Sequence, residues 1–449
     1  MERAIVILAA GRGKRMNSGI PKVLHKIAGA PMIMHALKTA KTLDPERVIV
    51  ITGHGAERVE KEISEIEPEI GFVRQIEQKG TGHAVKCAEK ILKDFTGNTL
   101  ILYGDVPFIS PETLQLLIEE KERGTDLVIL GFKSKQPRSY GRLIIENDQL
   151  ISIVEAKDAT NEQLKITLCN SGVLYTENKI LFQLLSSITN KNANEEYYLT
   201  DIVKAAKDQN LSVKAVFCDE PETLGINTRS ELSTAELTFQ IRARERVIEN
   251  GVTLSQPETT YFSFDTEIGR EACIGPNVVF GPGVTIESGA EILPFCHLEG
   301  CHISKGARIG PFARLRPGTE LSEDVKVGNF VEIKNSTINT KSKINHLSYI
   351  GDTTIGENSN IGAGTITCNY DGISKHTTKI GSDVFIGSNT LLVAPVSVGD
   401  KSMTASGTVV TEDIPSGNLA IGRVKQVNKP GYVKKLVALL RSKKKLKDN

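Results

Sequence analysis

The sequence predicts a fold in two parts, an α/β half on a largely parallel sheet and a parallel β-helix, joined by one long helix. Short Val/Ile/Leu runs alternate with helix-like stretches up to about residue 228. The segment from Arg229 to Gly251 is rich in Glu, Arg, Leu and Ala, lacks Pro and ends in Gly, as a helix with a C-terminal stop does. Beyond it an aliphatic residue recurs every six residues, which indicates a parallel β-helix. We therefore divide the chain into 1–228, 229–251 and 252–449.

Composition excludes several function classes. The chain has 449 residues, 24% of them charged, and a net charge of +1, so it has no overall attraction to nucleic acid or membrane. No apolar run approaches the ~20 residues of a membrane span. The first apolar run, "AIVILAAG", reads as a buried strand. The 7 cysteines are scattered without a CxxC pair, which favours a reducing, cytoplasmic compartment.

Four strands and two helices stand out in the α/β half. The strands are expected in "AIVILAAG", "RVIVITGHG", "NTLILYGDVP" and "TDLVILGFK". The helices are expected in "TGHAVKCAEKILKDF" and "SPETLQLLIEEKERG". Strands that alternate with helices build a parallel sheet whose ligands bind beyond the carboxyl ends of the strands.

A glycine-rich turn follows the first strand in "LAAGRGKRMNSGIPK". Such a turn can bring backbone N–H groups close to phosphates. A dinucleotide fingerprint is excluded because Met16 stands where a third Gly is needed, and a P-loop is excluded because "GKRM" lacks Gly-Lys-Ser/Thr. What remains is a turn followed by Arg12, Lys14, Arg15 and Lys22, which are either phosphate ligands or solvated cations.

Two oxygen ligands suggest a magnesium site. Asp105 ends an apolar strand in "LYGDVP", and Asn227 lies in "GINTR". Mg²⁺ usually takes one or two protein ligands and fills its remaining positions with water and phosphate oxygens. The alternatives are a turn-capping aspartate and a helix-capping asparagine.

The six-residue repeat is regular over most of the second half. Its aliphatic slots should point into the coil, and Gly often follows at the corner. The period breaks after Ile361, and we expect "GAGTITCNYDGISKHTTK" to form a functional loop thrust out of the scaffold. The slots are Ile268, Ile274, Phe280, Ile286, Ile292, Leu298, Ile303, Ile309, Leu315, Leu321, Val327, Ile333, Ile338, Ile344, Ile350, Ile355, Ile361, Ile380, Ile386, Leu392 and Val398.

Three polar residues of the repeat form a candidate site. Arg316 and Lys334 each follow an aliphatic slot and lie one coil apart, so both should face one phosphate. His346 follows two hexads later. An imidazole can take a proton from an attacking amine near neutral pH, which suits acyl transfer to an amino-sugar phosphate. The alternative for His346 is a surface histidine at a corner.

The C-terminal tail is basic. It is expected to be a solvated, partly disordered end or to attract a polyanionic ligand. Its charged residues are Lys434, Lys435, Arg441, Lys443, Lys444, Lys445, Lys447 and Asp448.

The motifs together carry a family resemblance. "LAAGRGKRM" with "PK", "QKGTGHA", "YGDVP" and "NEEYYLTDI" resemble the sugar-nucleotide pyrophosphorylases. With "GPFARLRPG", "GNFVEIKN", "HLSYIGD" and "NIGAGTITCNYDG", nearly the whole chain resembles the bifunctional N-acetylglucosamine-1-phosphate uridyltransferase/glucosamine-1-phosphate N-acetyltransferase family. The resemblance implies a Rossmann-like nucleotidyltransferase domain, a linker helix and a left-handed β-helix that forms a homotrimer.

For the α/β half, the resemblance implies a site for UTP, N-acetylglucosamine-1-phosphate and Mg²⁺. Arg15 and Lys22 would steady the triphosphate during catalysis, and Asp105 and Asn227 would bind the metal. Lys14 stands where many relatives have Thr. The implied nucleotide and sugar contacts are Leu8, Ala9, Ala10, Gly11, Lys22, Gln75, Gly80, Thr81, Tyr103, Gly104, Asp105, Gly141, Glu155, Asn170 and Asn227.

For the β-helix half, the resemblance implies acetyl transfer from acetyl-CoA to glucosamine-1-phosphate, with His346 as the proton acceptor. Direct transfer is preferred to an acetyl-enzyme on Cys368. Ser406 stands where a relative carries Ala. The implied sugar-phosphate contacts are Arg316, Lys334, Tyr349 and Asn360, and the implied acetyl-CoA contacts are Ala363, Asn369, Tyr370, Ser388, Ser406 and Arg423.

The two activities in sequence would make UDP-N-acetylglucosamine for envelope polysaccharide. One alternative is a nucleotidyltransferase of single activity with the β-helix as a scaffold, but a bare scaffold would not need Arg316, Lys334 and His346. The other is a non-catalytic sugar-nucleotide-binding assembly protein, against which Arg15, Lys22 and Asp105 argue.

Overall fold

The computed structural model describes residues 2–147 and 149–445. The chain divides into two compact units: unit 1 runs to Arg246 and adds Phe262–Asp265, and unit 2 takes Val247–Tyr261 and the chain from Thr266 onward. Lys447 and Asp448 of the basic tail lie outside the described residues. Within those residues, no helix is both long enough and apolar enough to cross a bilayer.

Unit 1 is an α/β fold on a nine-stranded sheet, with two further short strands paired separately. The strands are β1 Arg3–Ala9, β2 Lys26–Ile27, β3 Ala30–Pro31, β4 Arg47–Thr52, β5 Gly71–Arg74, β6 Asn98–Tyr103, β7 Leu127–Lys133, β8 Arg142–Glu146, β9 Gln149–Val154, β10 Leu168–Glu177 and β11 Val213–Cys218. The helices are α1 Met32–Lys41, α2 Ala56–Ser64, α3 Thr81–Lys86, α4 Pro111–Glu122, α5 Asn161–Leu164, α6 Asn178–Ser187, α7 Ile202–Asp208 and α8 Arg229–Glu249.

The sheet order explains where a ligand can bind. The main path runs β11-β7-β10-β6-β1-β4-β5. Strand β1 is parallel to β4 and β6, whereas β10 runs antiparallel between β6 and β7. The largely parallel sheet expected from the sequence is confirmed. The carboxyl ends of β6, β1, β4 and β5 therefore share one edge.

Strand β1 alternates between two cores, as a strand covered on both faces must. Val6 and Leu8 pack into one cluster with α6 and α7 residues, and Ile5 and Ile7 pack into the other with α1 and α4 residues. Burying side chains of this size stabilises the fold by about 2 kcal/mol each. The sheet is thus fixed on both sides, which makes its edge a rigid platform.

Two helix expectations have different outcomes. Helix α4 begins at Pro111 with Ser110 as its N-cap, since the Ser110 hydroxyl accepts from the Thr113 N–H at 3.1 Å. The stretch "TGHAVKCAEKILKDF" is helical only over Thr81–Lys86 and continues in tight i→i+3 turns. Ala84, Val85, Ala88, Leu92 and Phe95 are buried, whereas Ile91 is 45% exposed, so the apolar pattern predicted most of the inward face although the regular helix ends early.

The helix expected at Arg229–Gly251 is present as α8, Arg229–Glu249. The Glu231 carboxylate caps its start by accepting from the backbone N–H groups of Asn227 at 2.7 Å and Thr228 at 2.9 Å. Gly251 follows its end with φ of 88°, the left-handed conformation that glycine adopts without strain.

Unit 2 is a left-handed parallel β-helix with three faces, which the chain visits in the order A, B, C. Face A comprises Thr253–Leu254, Cys273–Ile274, Glu291–Ile292, Arg308–Ile309, Lys326–Asn329, Lys343–His346, Asn360–Ile361, Phe385–Ile386, Met403–Thr404 and Leu419–Ala420. Face B comprises Val279–Phe280, His297–Leu298, Arg314–Leu315, Glu332–Lys334, Tyr349–Gly351, Ile366–Cys368, Leu391–Val393 and Val409–Val410. Face C comprises Glu267–Ile268, Val284–Ile286, Cys301–Ile303, Thr319–Leu321, Ser336–Ile338, Thr353–Ile355, Thr378–Ile380 and Val396–Val398.

The six-residue slots fill the core, but the expected break is shorter than the sequence suggested. Except for the half-buried Ile268, every aliphatic slot is buried. The slot after Ile361 is Thr367, fully buried on face B, with its hydroxyl accepting from the Gly351 N–H at 2.8 Å. Because this slot holds a polar residue, the aliphatic pattern did not identify the coil. The projecting loop is therefore narrower than "GAGTITCNYDGISKHTTK" and spans roughly 369–376.

One corner of the β-helix carries an exposed apolar column, which we call the aromatic corner: Phe295, Phe312, Phe330 and Leu347. All four have positive φ at the turn from face A to face B. The rings of Phe295 and Phe312 stack at 4.9 Å, and those of Phe312 and Phe330 at 5.2 Å. The three phenylalanines are 45–55% exposed, and Leu347 is 61% exposed. This corner therefore presents a row of apolar side chains to solvent.

The chain ends in helix α9, Tyr432–Lys445. From Ile421 to Lys444 every described residue is exposed. The described part of the tail is therefore a solvated helix, and the two uses expected for its charge stay predictions.

Candidate active sites

A cavity of about 300 Å³ opens at the carboxyl end of β1 in unit 1. Ten of the residues expected to bind nucleotide or sugar line it, and the sequence did not point to four others, Val23, Gln78, Ala84 and Glu196. The ten are Leu8, Ala9, Ala10, Gly11, Lys22, Gln75, Gly80, Thr81, Tyr103 and Asp105.

The glycine-rich turn folds back on Lys22. Gly13 has φ of 58°, and a Cβ there would lie 2.7 Å from Lys22 Cβ, so only glycine fits. The turn is held from the other side by Gln78, whose amide donates to the Ala10 carbonyl at 2.8 Å. Gln78 also accepts from Arg12 Nε at 2.9 Å. Local sequence patterns could not predict these contacts of Gln78, because Ala10 and Arg12 are far from it in the sequence.

The two expected metal ligands, Asp105 and Asn227, both accept hydrogen bonds from the Lys22 ammonium. The Lys22 ammonium donates to the Asp105 carboxylate and, at 3.0 Å, to Asn227 Oδ1. Asp105 and Lys22 are both largely buried, with 17% and 13% of their side chains exposed. Two convergent oxygen donors around a positive charge fit a hard divalent cation. Among the described residues, no group of three or more His, Cys, Asp or Glu side chains could hold a metal ion together.

Three more expected residues, Gly141, Glu155 and Asn170, gather on the β10 side of the cavity. A Cβ on Gly141 would lie 3.6 Å from Glu155 Oε1 and 3.7 Å from Asn170 Cβ, and one on Gly172 would lie 2.6 Å from the Tyr103 ring. Burial raises the pKa of the Glu155 carboxyl, which accepts from the Thr200 hydroxyl at 3.1 Å. Burial first, and then the Glu155 and Asp105 carboxylates, raises the pKa of Tyr103 above its usual range.

The motif "NEEYYLTDI" has a structural role that the sequence did not assign. Its Tyr197 carbonyl accepts from the Gly82 N–H at 2.8 Å, and the Leu199 N–H donates to the Thr81 hydroxyl at 3.0 Å. A Cβ on Gly80 would lie 2.6 Å from that same carbonyl. The segment therefore clamps the Gly80–Thr81 wall of the cavity.

Two expected residues contact the cavity less directly. Arg15 lies on an exposed single turn, Lys14–Met16, outside the cavity lining. Gly104 donates its N–H to the Leu8 carbonyl at 2.9 Å and packs against Ile33 and Val23, so it joins β6 to β1 beneath the site.

In unit 2, four expected residues form one column at the corner between faces A and B. His346, Ala363, Ser388 and Ser406 occupy the same corner position in successive coils. Backbone hydrogen bonds link the rungs: Gly364 N–H donates to the His346 carbonyl at 3.2 Å, and Asn389 N–H donates to the Ala363 carbonyl at 2.7 Å. Arg423 extends the column, because its guanidinium donates to the Ser406 carbonyl at 2.5 Å.

His346 has an ordering partner that the sequence did not reveal. Its Nδ1 lies 2.8 Å from Asn329 Oδ1, and the two residues pair in register on face A. An amide oxygen can only accept, so Nδ1 carries the proton and Nε2 keeps a free lone pair. The imidazole is exposed and is thus able to accept a proton from a ligand.

The two phosphate-binding candidates lie on neighbouring rungs of face B, as their spacing predicted. Leu315 pairs with Ile333, and the cations Arg316 and Lys334 follow directly. Arg316 donates to Glu332 Oε1 at 2.8 Å. Tyr349 pairs with Glu332 on the same face.

The projecting loop supplies a further cation. Lys375 lies close enough to Lys334 for that ammonium to lower its pKa. The Asp352 carboxylate lies near both lysines and offsets one of their two positive charges, and the remaining positive charge favours an anionic ligand. The sequence missed Lys375 because a loop residue has no period to mark it.

The same loop is tied to the coil beside Lys334. Asn369 is 7% exposed and donates to the Asp352 carboxylate, while Tyr370 is 60% exposed. A bridge between Tyr370 and Lys375 makes the loop a short hairpin. His376 pairs with Asp371 at 2.6 Å, and this hydrogen bond holds the pKa of that carboxyl below its usual range. Asn360 lies instead on face A between Lys343 and Phe385, away from Arg316 and Lys334.

Comparisons with known proteins agree with both halves. Residues 5–166 match a family model described as MobA-like NTP transferase domain, and residues 297–406 match one described as GMPPB C-terminal domain. Among solved structures, a UDP-glucose pyrophosphorylase complexed with UDP-glucose matches at 19% identity and a TM-score of 0.44, covering 54% of this chain and 100% of that one.

Full-length relatives identify the family. Bifunctional protein GlmU of Dinoroseobacter shibae is 58% identical over 99% of both chains. The proteins of the same name from Ruegeria sp. and Paramagnetospirillum magneticum are 57% and 46% identical, again over 99% of both chains. Matched from end to end at this identity, the chain belongs to the family of bifunctional GlmU proteins.

Proposed function

We propose that this protein makes UDP-N-acetylglucosamine in two steps at two sites. The β-helix transfers an acetyl group from acetyl-CoA to glucosamine-1-phosphate. The α/β unit then transfers a uridylyl group from UTP to N-acetylglucosamine-1-phosphate and releases pyrophosphate. The observation that carries the proposal is the presence, in one chain of this family, of both the Lys22–Asp105–Asn227 cluster and the Arg316–Lys334–His346 arrangement.

The uridylyl site works by positioning and charge neutralisation, which nucleotidyl transfer needs more than covalent help. Leu8–Gly11, Gln75, Gly80 and Thr81 would hold the nucleotide, because they line one cavity. Tyr103, Glu155, Gly141 and Asn170 would hold the sugar at its β10 side. Lys22, whose ammonium lies among the acceptors, would neutralise the α-phosphate.

Asp105 and Asn227 would hold Mg²⁺, for which the two oxygen donors fit. When bound, the ion supplies charge stabilisation to the phosphate oxygens. The protein's part is to keep both donors aimed at one point, which Asn227 achieves because its backbone N–H is fixed by Glu231. Arg15 lies outside the cavity lining here, and its role at the triphosphate stays a prediction.

The acetyl site activates an amine. His346 Nε2 takes the proton of the amine as the nitrogen attacks the thioester carbonyl carbon, and the C–S bond breaks to release CoA. Arg316, Lys334 and Lys375 would bind the sugar phosphate, with Tyr349 beside them and Asn360 on face A. The column Ala363, Ser388, Ser406 with Arg423, and the loop residues Asn369 and Tyr370, would bind acetyl-CoA.

We further infer that the protein assembles as a homotrimer in the cytoplasm. The aromatic corner supports self-association, because three stacked phenylalanines are half exposed in the single chain. A reducing compartment suits the seven cysteines, all of which are free thiols.

A split assay tests the two activities separately. Wild type and His346→Ala are given glucosamine-1-phosphate, acetyl-CoA, UTP and Mg²⁺, with CoA and pyrophosphate measured independently. We expect His346→Ala to lose CoA release and to keep forming pyrophosphate from supplied N-acetylglucosamine-1-phosphate. Lys22→Ala should show the opposite loss.

Each outcome assigns one site. Wild type that releases no CoA would contradict the acetyltransferase and leave the β-helix as a scaffold. Wild type that forms no pyrophosphate would contradict the uridylyltransferase. His346→Asn, which keeps a polar side chain of similar size, is the matched control for folding of the coil.

A further inference from the structure

Gln75 and His83 form a hydrogen-bonded pair beside the cavity at the carboxyl end of β1, which we call the nucleotide cavity. Gln75 follows β5, and its backbone N–H donates to the Thr52 carbonyl at 2.7 Å. Gln75 lines the nucleotide cavity, although the residue is only 5% exposed. His83 belongs to α3 and lies outside that lining, so its ring reaches a bound ligand only through Gln75.

The contacts of the Gln75 amide identify which of its two terminal atoms is nitrogen. One terminal atom lies 3.0 Å from the Gly80 carbonyl oxygen and 3.0 Å from His83 Nδ1. A carbonyl oxygen only accepts, so this atom is Nε2, and its two N–H groups serve Gly80 and His83. His83 Nδ1 is therefore the unprotonated ring nitrogen, and the ring proton is on its Nε2. The other terminal atom of Gln75 is the acceptor Oε1.

The surroundings of His83 keep its ring neutral, as this arrangement requires. Burial first, and then the Lys79 ammonium, lower the pKa of His83, and Lys86 acts in the same direction. Glu77 acts in the opposite direction through its carboxylate and its backbone. A neutral imidazole accepts at Nδ1, whereas an imidazolium would donate there and would draw the oxygen of Gln75 towards itself.

Gln75 Oε1 and the Gly80 N–H are an unpaired acceptor and an unpaired donor on two adjacent residues of the cavity lining. Within the part of the chain that the structure describes, neither group has a hydrogen-bond partner. Solvent reaches Oε1, because the buried unpaired side-chain atoms of the described residues do not include it. A planar ligand edge that carries a donor next to an acceptor would satisfy both groups.

Uracil has such an edge, and cytosine has the reverse one. The N3 atom of uracil carries a hydrogen between two carbonyl groups, whereas N3 of cytosine is an acceptor beside an amino donor. We propose that His83 is a positioning residue that fixes the Gln75 amide with Oε1 towards the base, so that the site accepts UTP and rejects CTP. The proposal rests on the uridylyl transfer proposed above and adds to it the choice of base.

The nucleotide preference of the full-length protein tests this. Pyrophosphate release is measured at about pH 8, where the ring is neutral, from N-acetylglucosamine-1-phosphate, Mg²⁺ and either UTP or CTP. Wild type should use UTP at least about a hundredfold more efficiently than CTP, as judged by kcat/KM, because CTP opposes an acceptor to Oε1 and a donor to the Gly80 N–H.

His83→Leu should reduce that preference. We expect kcat/KM for UTP to fall about fivefold, the value of one neutral hydrogen bond, while kcat/KM for CTP stays the same or rises. The loss for UTP should appear in KM and not in kcat, since the base takes no part in the bond changes at phosphorus.

Three further variants separate positioning from folding. His83→Asn keeps an acceptor at the place of Nδ1 and should restore most of the preference. Gln75→Leu should itself lower the preference, and Gln75→Leu with His83→Leu should lower it no further, because His83 acts through Gln75. Lys86→Gln, an exposed change on the same helix, is the matched control and should leave both nucleotides unaffected.

The outcomes separate the two levels of the argument. An unchanged ratio of UTP to CTP efficiency in His83→Leu overturns the proposal. So does an equal fall for both nucleotides, which would make His83 only structural, and so does equal use of UTP and CTP by wild type. Wild type that releases no pyrophosphate from either nucleotide would instead refute the uridylyl transfer itself.

Discussion

His346 shows how one neighbour decides what a side chain can do. Asn329, one coil earlier, accepts a hydrogen bond from Nδ1 and so presents Nε2 to the ligand. The sequence placed His346 in the repeat and pointed to a proton acceptor. It could not reveal Asn329, because polar corner residues carry no periodic signal and their pairing depends on the register between coils.

The Asn329–His346 pair predicts a selective defect. Asn329→Ala should lower kcat for acetyl transfer about tenfold or more, because the imidazole loses its fixed tautomer and orientation. Uridylyl transfer by the same preparation should be unchanged and serves as the internal control. CoA release and pyrophosphate release, measured in parallel, check this; equal acetylation rates in wild type and variant would show that Asn329 is only structural.

His35 gives unit 1 a pH-dependent stability. Burial lowers its pKa to about 4, and its Nε2 bonds the Ile27 carbonyl at 3.0 Å. Between pH 6.5 and 4 the unfolded chain therefore binds a proton that the folded chain does not, so stability falls as pH falls through this window. The loss approaches roughly 3 kcal/mol below the folded pKa.

A neutral substitute isolates this effect. We expect the free energy of unfolding of His35→Gln to change less between pH 7 and pH 4.5 than that of wild type. Urea titrations at the two pH values measure the difference. Parallel pH dependence in the two proteins would assign the acid sensitivity to other groups.

At the scale of elements, the repeat was predictable and its exception was not. A six-residue aliphatic period follows directly from coils that stack side chains inward, and the structure fills those slots as expected. Thr367 occupies a slot with a hydroxyl satisfied by Gly351, so the aliphatic pattern missed one strand and lengthened the apparent loop. In unit 1 the strands were evident from Val/Ile/Leu runs, whereas the clamp formed by Tyr197 depends on contacts far apart in sequence.

A strand glycine next to the candidate acetyl site has no room for a side chain. A Cβ on Gly328 would lie 1.9 Å from the Asn345 carbonyl oxygen of the next coil. Gly328→Ala should therefore destabilise unit 2 by about 2–3 kcal/mol and disturb the adjacent Asn329–His346 pair. Thermal melting and CoA release measure the two effects.

Gly407 provides the matched control for that change. Gly407 lies at a turn after a face A strand, with φ of 75° and nothing within 4 Å of the added Cβ. Gly407→Ala should cost about 1 kcal/mol from backbone conformation alone. Similar costs at the two positions would show that the coils separate to accommodate a methyl group.

The aromatic corner predicts a change in assembly. Phe312→Asp introduces a charge into the middle of the exposed stack, so we expect the proposed trimer to dissociate while the coil, whose core is untouched, stays folded. Light scattering coupled to size-exclusion chromatography gives the mass. Phe217→Asp, at a 43% exposed phenylalanine of unit 1, is the control, and an unchanged mass for Phe312→Asp would exclude this corner from the interface.

At the scale of the whole molecule, unit 1 is not one continuous segment. It recovers Phe262–Asp265 after the chain has left it. Gln240, 2% exposed, bonds both the N–H and the carbonyl of Phe262, and Phe264 packs its ring 4.4 Å from that of His35. A sequence-based boundary near the end of the connector could not show this return.

The return predicts where the α/β half can be cut. A fragment of residues 1–265 should fold and catalyse uridylyl transfer, whereas 1–246 leaves the buried Gln240 amide unsatisfied, at a cost of about 1–3 kcal/mol. The difference in melting temperature between the two fragments measures this. Equal melting temperatures would mean that the short segment is dispensable.

The corner column places its residues at regular distances along the β-helix axis. His346, Ala363, Ser388 and Ser406 stand on successive rungs, and neighbouring rungs of a sheet are ~4.8 Å apart. A ligand bound along this column, as proposed for acetyl-CoA, would meet its contacts at intervals of one coil, over about 14 Å from His346 to Ser406. Removing one complete coil between them would let the remaining coils stack as before, yet it would shorten the distance from His346 to Ser406 by one rung, ~4.8 Å. The distance between His346 and Ser406 is thus a whole number of coil spacings, and insertions or deletions can change it only by whole coils.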